Sequence, residues 1–292
     1  MLRILAVALL AVFAAVPVAA QQPQMPTFAT TKVAGTDNVY IFRYQFHQSI
    51  FIVTPAGVIA TDPIARYRPQ AAKTYIDEIR KITQAPIKYV IYSHHHYDHI
   101  GGGQPFKDLG AKFIAHRRAK ERLAQLKFPD VVIPDEVVDR KKTIKLGGTT
   151  LELHYVGRNH SDNMLLMYLP KEKIIFAVDF IPINSVHWRN MPDSWPLEWE
   201  DSIKKVLAMN WDRMIPGHPG PGGRLGTKDD ARNMLAYTQD ISAEVKKAAD
   251  AGKCMDAAVK EIKLPKYATL ANYEQWLPMN VERYCLLYSG GM

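Results

Sequence analysis

Four imidazoles and one carboxylate fall within six consecutive residues, which read His94-His95-His96-Tyr97-Asp98-His99. The apolar run of residues 87–92 before them has the β-branched and aromatic composition of a buried strand. Glycines at residues 101–103 after them allow the backbone to turn sharply. The polar cluster is therefore predicted to lie where a strand ends, which is a common place for ligands in α/β proteins.

The spacing within this cluster is typical of metal ligands. Alternate side chains of an extended segment share one face, so His94 and His96 can converge on one ion while His95 points away. Asp98 and His99 follow the turn and could serve a second ion. Neutral imidazole and carboxylate favour zinc among the common metals and are also compatible with iron or manganese. A solvated loop would not explain so many titratable groups beside an apolar strand.

Three more candidate ligands follow apolar, strand-like segments later in the chain: His160, Asp179 and His218. Taken alone, each histidine would more often be structural, and the aspartate could cap a helix or a turn. Taken together with the first cluster, they supply the ligands that a site for two metal ions needs.

This combined pattern resembles the metallo-β-lactamase superfamily. The matching motifs are His94-x-His96-x-Asp98-His99, Gly157-x-x-His160, Val178-Asp179 and Pro216-Gly217-His218. The resemblance runs over residues 35–240. It implies an α/β protein with a four-layer αβ/βα sandwich and a dinuclear zinc site at one edge of that sandwich.

The resemblance also implies a role for each ligand. It assigns three to a first zinc ion, three to a second and one to both: His94, His96 and His160; Asp98, His99 and His218; and Asp179. Zinc lowers the pKa of bound water from about 15.7 to about 7, so a bridging hydroxide would be available to attack a carbonyl or phosphoryl centre. Asp98 is also the candidate catalytic residue, because its carboxylate could orient that nucleophile.

The bridging position distinguishes groups within the superfamily. True β-lactamases commonly carry cysteine or serine there, whereas an aspartate such as Asp179 resembles glyoxalase II, lactonases and related hydrolases. We therefore expect a hydrolase of an ester, thioester, lactone or related bond. Three alternatives stay open: a β-lactamase, a mononuclear iron enzyme of the persulfide dioxygenase kind, and a non-catalytic, metal-bound binding protein.

Candidate contacts for a small-molecule substrate lie on a predicted hairpin tip over residues 45–48 and on a predicted irregular insertion over residues 180–196. They are Phe46 and His47 on the tip, and His187, Trp188 and Trp195 on the insertion. Aromatic side chains on loops often line substrate clefts. Packing of the insertion onto the body of the protein would explain them equally well.

The first twenty residues have the features of a secretory signal peptide. Arg3 supplies a positive charge, residues 4–15 are apolar, and residues 18–20 are small enough for a cleavage site. An uncleaved anchor is the alternative. The signal peptide predicts a periplasmic or secreted protein without a stable membrane anchor, and residues 21–34 are expected to form a mobile lead-in.

Charge and cysteine content add weaker expectations. The net charge of +8 comes from scattered basic residues, which indicates only a mild preference for anionic substrates. No nucleic-acid motif accompanies them, so no nucleic-acid partner is expected. Cys254 and Cys285 could form a disulfide in an oxidising compartment, or they could be buried free thiols.

Helical patterns are predicted over residues 68–82 and over much of the chain beyond residue 228. We expect the metallo-β-lactamase-like domain to end at residue 240, and residues 241–292 to pack on it as a C-terminal helical extension. This extension could pair two subunits or narrow the cleft, so the oligomeric state stays open.

Overall fold

A computed structural model describes residues 26–291. The predicted signal peptide and the beginning of the predicted lead-in lie outside these residues. Two mixed sheets form the centre of the described chain, and helices cover the outer face of each sheet.

The first sheet contains seven strands in chain order: β1 (Phe28–Lys32), β2 (Val39–Tyr44), β3 (His47–Thr54), β4 (Gly57–Thr61), β5 (Ile87–Ile91), β6 (Lys112–His116) and β7 (Glu136–Val138). The second has the order β12-β11-β10-β9-β8: β8 (Lys141–Leu146), β9 (Thr149–Tyr155), β10 (Leu165–Leu169), β11 (Ile174–Val178) and β12 (Arg213–Pro216). Strands β4 to β7 pair in parallel, as do β11 and β12, whereas the remaining pairs are antiparallel.

The helices fall into two groups, and the bounds of all eight are α1 (Ala71–Ile82), α2 (Tyr97–Ile100), α3 (Gln104–Asp108), α4 (Arg117–Leu126), α5 (Pro196–Leu207), α6 (Lys228–Asp250), α7 (Asp256–Glu261) and α8 (Tyr273–Gly290). Helices α1, α3 and α4 pack on the first sheet, and α5 to α8 pack on the second. The predicted four-layer α/β sandwich with a helical C-terminal region is confirmed.

Alternation along the strands produces these layers. On β4, Ile59 faces the core between the two sheets, whereas its neighbours Val58 and Ala60 face the helices. On β11, Phe176 faces the inter-sheet core and Ile175 faces the opposite helical layer. Strands covered on both faces bury nearly every side chain, which explains why their sequences read as continuous apolar runs.

Several predicted boundaries differ from the structure. Helix α1 begins at Ala71, because Pro69 and the turn around it precede the helix. Residues 28–32 are the edge strand β1, so the prediction of a mobile lead-in is wrong there: five of its residues pair with β2. Strand β3 begins at His47, which shortens the predicted hairpin tip to Gln45 and Phe46.

The C-terminal helices are continuous with the preceding domain. Helix α6 has a capping box at Thr227 and runs without a break to Asp250, so the predicted boundary after residue 240 falls inside a helix. The structure joins Cys254 to Cys285 of α8 in a disulfide, with the two Cα atoms 5.3 Å apart. Across residues 26–291, every helix is too short or too polar to cross a membrane.

A substitution at Gly102, just after α2, can test how tightly the segment that follows β4 and contains Ala65 packs against the end of this helix. Gly102 has a φ of +79°, and a Cβ atom there would lie 2.3 Å from the Cβ of Ala65. We expect Gly102→Ala to lower the free energy of unfolding by about 3 kcal/mol, as the sum of left-handed backbone strain and overpacking. Urea unfolding provides the measurement.

Gly110→Ala is the matched control for this substitution. Gly110 has a φ of +82°, but a Cβ there would meet nothing within 4 Å. It should therefore show only the backbone cost, about 1–2 kcal/mol. Equal losses in the two variants would contradict the close contact between Gly102 and Ala65.

Candidate metal centre

Strand ends gather the seven predicted ligands at one edge of the sandwich. Residues 94–99 follow β5 in the first sheet. In the second sheet His160 follows β9, Asp179 follows β11 and His218 follows β12, and these three strands run in the same direction. Ligands that are far apart in the chain therefore meet where the carboxyl ends of the strands coincide.

The first group of side chains that could hold a metal ion contains His94, His96, His160 and Asp179. His160 Nε2 lies 3.0 Å from His96 Nδ1. His94 Nε2 lies 3.8 Å from Asp179 Oδ2, and His160 Nε2 lies 3.5 Å from the same oxygen. Donor atoms around a tetrahedral zinc ion would be about 3.3 Å apart, given bonds of about 2.0–2.1 Å.

The second group contains Asp98, His99 and His218, together with His47. His99 Nε2 lies 3.6 Å from Asp98 Oδ2 and 3.0 Å from Asp179 Oδ2. His218 Nε2 lies 3.3 Å from Asp179 Oδ1. One carboxylate, that of Asp179, therefore contacts histidines of both groups.

Buried atoms without partners show that the donor set fits metal ions. Nε2 of His94 and Nε2 of His99 are shielded from solvent and have no hydrogen-bond partner among the described residues. Such orphaned groups are costly unless a ligand satisfies them. Imidazole nitrogens facing carboxylates at these distances match the donors that zinc takes in proteins.

The pKa values of three histidines in the centre are shifted by burial and by the neighbouring carboxylates. Burial lowers the pKa of His94 well below its usual value and that of His160 to about 3, so both imidazoles are neutral, as metal ligands must be. Burial also acts to lower the pKa of His99, but the carboxylates of Asp179 and Asp98 outweigh it and raise this pKa to about 10. The carboxylates thus draw a positive charge into the centre.

His47 lies inside this centre, although the sequence pattern indicated only a substrate contact. Its Nε2 lies 2.9 Å from Asp98 Oδ2, and its ring contacts those of His99 and His218. Burial lowers the pKa of His47 to about 4, with the bond to Asp98 opposing this shift. His47 is therefore placed to hold the Asp98 carboxylate or to serve as a ligand itself.

A third group of His95, His96 and Asp193 also has metal-like spacing. A protein cation already occupies it, because Arg122 Nη1 lies 2.9 Å from Asp193 Oδ1. Asn163 also bonds His95 Nδ1 at 2.9 Å and fixes that ring away from the other two groups. The guanidinium supplies the positive charge that a metal ion would otherwise bring.

Two carboxylates that support ligands, the partly exposed Asp193 and the fully buried Asp62, were missed by the sequence analysis. Asp193 Oδ2 accepts from His96 Nε2 at 3.1 Å, which leaves Nδ1 of that ring facing His160. Asp62, at the end of β4, accepts from the backbone N–H of Ser93 at 2.8 Å and lies 3.9 Å from Nδ1 of His99. The polar pair Thr61-Asp62 after an apolar strand was the available signal for the second of these.

The predicted substrate contacts divide into exposed and buried side chains. Phe46 is 69% exposed and Trp188 is 48% exposed, so both present aromatic surface to solvent. Trp195 stacks with the guanidinium of Arg158 beside α5. His187 is fully buried against Trp199 and bonds Thr238 Oγ1 at 3.0 Å, so its prediction as a substrate contact is wrong.

Helix α8 holds the insertion that carries Asp193. The amide of Asn280 donates to the carbonyl oxygens of His187 and Arg189, and Tyr237 donates to its Oδ1 at 2.7 Å. Arg283 donates to the carbonyl of Ser194 at 2.8 Å. The C-terminal extension therefore supports a segment that contacts a candidate metal ligand.

Comparison with known proteins agrees with the fold and the candidate ligands described above. The profile of the metallo-beta-lactamase superfamily matches residues 65–222. The 2,4-dinitroanisole O-demethylase subunit alpha of Nocardioides sp. strain JS1661 is 25% identical over 66% of this chain and 58% of that protein. The match thus spans less than two thirds of that relative. The metallo-beta-lactamase type 2 of Bacillus sp. strain 170 is 27% identical over 64% of this chain and 69% of that protein.

Solved structures show the same fold. A metallo-beta-lactamase from Pontibacter korlensis aligns with a TM-score of 0.63 at 19% identity, covering 73% of this chain and 99% of that structure. Nearly the whole of that structure is therefore matched, and the unaligned part of this chain has no counterpart in it.

His187 should make stability depend on pH. Burial lowers its pKa from 6.5 to about 3, so the unfolded chain binds a proton between these values and the folded chain does not. Its contribution is present above the unfolded pKa and is lost as pH falls toward 3, with a slope of about 1.4 kcal/mol per pH unit. We expect His187→Gln, whose amide can still donate to Thr238, to flatten the fall in unfolding free energy between pH 6 and 4 by about that slope. Parallel curves for the two proteins in denaturant titrations would contradict this assignment.

Proposed function

Since this chain belongs to the metallo-β-lactamase superfamily, whose members are metal-dependent hydrolases, we propose that it is an exported dinuclear zinc enzyme that cleaves an ester, thioester, lactone or related bond. Its partner would be a small-molecule substrate rather than a nucleic acid. Manganese would fit the same donor set less well than zinc, because neutral imidazoles provide most of the ligands, whereas iron also accepts imidazole ligands and is the alternative metal.

The position of Asp179 carries this proposal. Its carboxylate lies 3.0–3.8 Å from four histidine nitrogens, two in each group of ligands. A single carboxylate in contact with both groups is suited to bridge two cations. Together the residues supply more donors than one closed, four-coordinate structural site requires, which favours catalysis over a structural metal.

The chain's own residues have distinct tasks in such a reaction. When bound, two zinc ions would supply a nucleophile derived from water at neutral pH and positive charge for the developing oxyanion. His94, His96 and His160 would hold one ion, and the lowered pKa values of His94 and His160 suit that role. Asp98 lies on the accessible side of the centre, where its carboxylate can orient the nucleophile.

Two contacts restrain Asp98 for this role. His47 Nε2 bonds one of its carboxylate oxygens, and Arg68 Nη2 donates to its backbone oxygen at 2.6 Å. The side chain is nevertheless 39% exposed, so the carboxylate is fixed without being closed off from substrate. The pKa of Asp98 stays below its usual value, because the facing histidines outweigh the effect of burial.

β-Lactam hydrolysis is the second candidate. Relatives from three sources are named metallo-beta-lactamases, which supports it. The Asp179 carboxylate at the bridging position favours the first candidate instead. The relative named as an O-demethylase indicates that related chains also act on bonds outside β-lactams.

The decisive experiment measures metal content and hydrolysis on the same preparation. We expect two equivalents of zinc per chain and activity on an ester, thioester or lactone that exceeds activity on nitrocefin. Asp98→Asn should lower kcat by about 10²-fold or more, because the nucleophile loses its orientation.

Asp77→Asn is the control, since Asp77 lies on the exposed face of α1 and pairs with Lys73 at 2.6 Å. Dominant β-lactamase activity would transfer the assignment to the second candidate. A single tightly bound iron with oxygenase activity, or no turnover of any substrate class by the zinc-loaded protein, would contradict the proposal.

Export is the remaining part of the proposal. The sequence of the first twenty residues supports it, and a disulfide at Cys254 and Cys285 suits an oxidising compartment. Expression in a bacterium with a periplasm should yield a mature chain that begins near Gln21, as measured by mass spectrometry of the periplasmic fraction. An intact N-terminus in the cytoplasmic fraction would contradict export.

A further inference from the structure

The metal centre is accessible from one side. The side chains of Asp98 and His218 are 39% and 45% exposed, whereas those of His94 and His99 are completely buried. The backbone oxygen of Phe46 lies 2.7 Å from His218 Nδ1, so the hairpin tip borders this open side. A substrate must reach the centre from here.

The segment of residues 63–68 borders the same side. Its backbone N–H of Ile64 donates to the carbonyl of His99 at 2.7 Å, and that of Ala65 donates to Gly101 at 3.0 Å. Arg68 adds the side-chain bond to the backbone of Asp98. These contacts hold the segment against α2, which carries Asp98 and His99.

Backbone strain shows that the shape of this segment is strongly specified. Ile64 has a φ of +49° and Tyr67 a φ of +59°, both in the left-handed region that β-branched and bulky residues rarely adopt. Strain of this kind costs about 1–3 kcal/mol per residue and concentrates at functional sites. Within this segment the Tyr67 side chain is 80% exposed and lies beside Arg66.

Arg66 lies over two aromatic rings. Its guanidinium carbon lies 4.4 Å from the centre of the Tyr67 ring and 4.1 Å from the centre of the Tyr97 ring. Phe128 stacks on Tyr97 at 4.2 Å and extends the column. Tyr97 is the first residue of α2, and Asp98 and His99 follow it, so this column and two candidate ligands share one short helix.

The hydrogen-bonding capacity of Arg66 is unused. Within residues 26–291 its guanidinium has ring contacts but no hydrogen bond and no ion pair, and its Nε is buried without an acceptor. The nearby Arg68 differs, because it donates to two backbone oxygens. Aromatic rings over a guanidinium leave its in-plane N–H groups available, and a carboxylate binds these groups in a fork geometry.

We propose that Arg66, flanked by Tyr67 and Tyr97, is a binding subsite for a carboxylate group of the substrate. The substrate class is then an ester, thioester or lactone that carries a separate carboxylate, with apolar surface that can lie against the exposed Tyr67 ring. This inference rests on the proposed hydrolytic function and adds the charge of its substrate. Arg66 acts here in substrate binding and touches no reacting atom.

A matched pair of substrates tests this subsite on the zinc-loaded protein. Mono-4-nitrophenyl glutarate carries a free carboxylate, and its methyl ester is neutral. For Arg66→Gln we expect kcat/KM for the anionic ester to fall at least tenfold through KM, because a charge-assisted hydrogen bond is lost. The value for the neutral ester should stay within twofold of wild type. Arg66→Lys should retain part of the preference for the anion, since it keeps the charge but loses the fork.

Arg232→Gln is the control, because Arg232 is an exposed arginine on α6 whose partner is Asp229. It should leave both substrates unaffected. Equal losses on both esters in Arg66→Gln would show that the stack only supports the fold and would overturn the subsite. Unchanged values on both esters would overturn it as well.

Binding separates failure of the subsite from failure of the hydrolytic function. If wild type hydrolyses neither ester, calorimetry with phenylacetate and phenylacetamide replaces kinetics. Wild type should bind phenylacetate at least fivefold more tightly than Arg66→Gln does. The two proteins should bind phenylacetamide with equal affinity. Equal affinity of the two proteins for phenylacetate would overturn the subsite irrespective of any reaction.

Discussion

Carboxylates crowded at one edge of the sandwich impose the main constraint on this protein. Asp98 and Asp179 face one another across His99, with the buried Asp62 behind that imidazole. Negative groups brought this close are costly unless positive charge joins them. These carboxylates raise the pKa of His99, so a protonated imidazole partly balances their negative charge. Cations held by the surrounding histidines would balance that charge more fully.

The sandwich meets this constraint by delivering short, rigid strand ends to one edge. Gly217 shows how close the delivery is, because a Cβ there would lie 2.5 Å from a methyl carbon of Val178 and 2.9 Å from Asp179 Oδ1. Only glycine lets the segment carrying His218 come this near to Asp179. The three apolar cores, one between the sheets and one beneath each helical layer, therefore support the geometry of the polar edge. Loss of packing in any of them would displace the ligands.

Support for the centre also comes from outside the matched domain. Asn280 on α8 holds the insertion by two carbonyl oxygens, and this insertion places Asp193 on His96. Arg122 on α4 secures the same carboxylate from the other side. The helical extension and the metal edge are therefore connected through hydrogen bonds and pack as one body. This rigidity helps to fix the position of the candidate ligands relative to the accessible side of the centre.

Local spacing in the sequence was sufficient to predict the cluster of residues 94–99 and the candidate ligands at strand ends, because period-two alternation and strand termination are properties of short segments. The sandwich was predicted only through the resemblance of the combined motifs to the metallo-β-lactamase superfamily. It could not place Asp193 on His96, since these residues are 97 positions apart and meet only through the packing of α8 and the insertion. Tertiary structure also decided that His187 is buried, that His47 belongs to the metal edge, and that residues 26–291 offer Arg66 no acceptor. Burial and the pairing of charges depend on which distant surfaces pack together, and neighbouring residues along the chain do not contain that information.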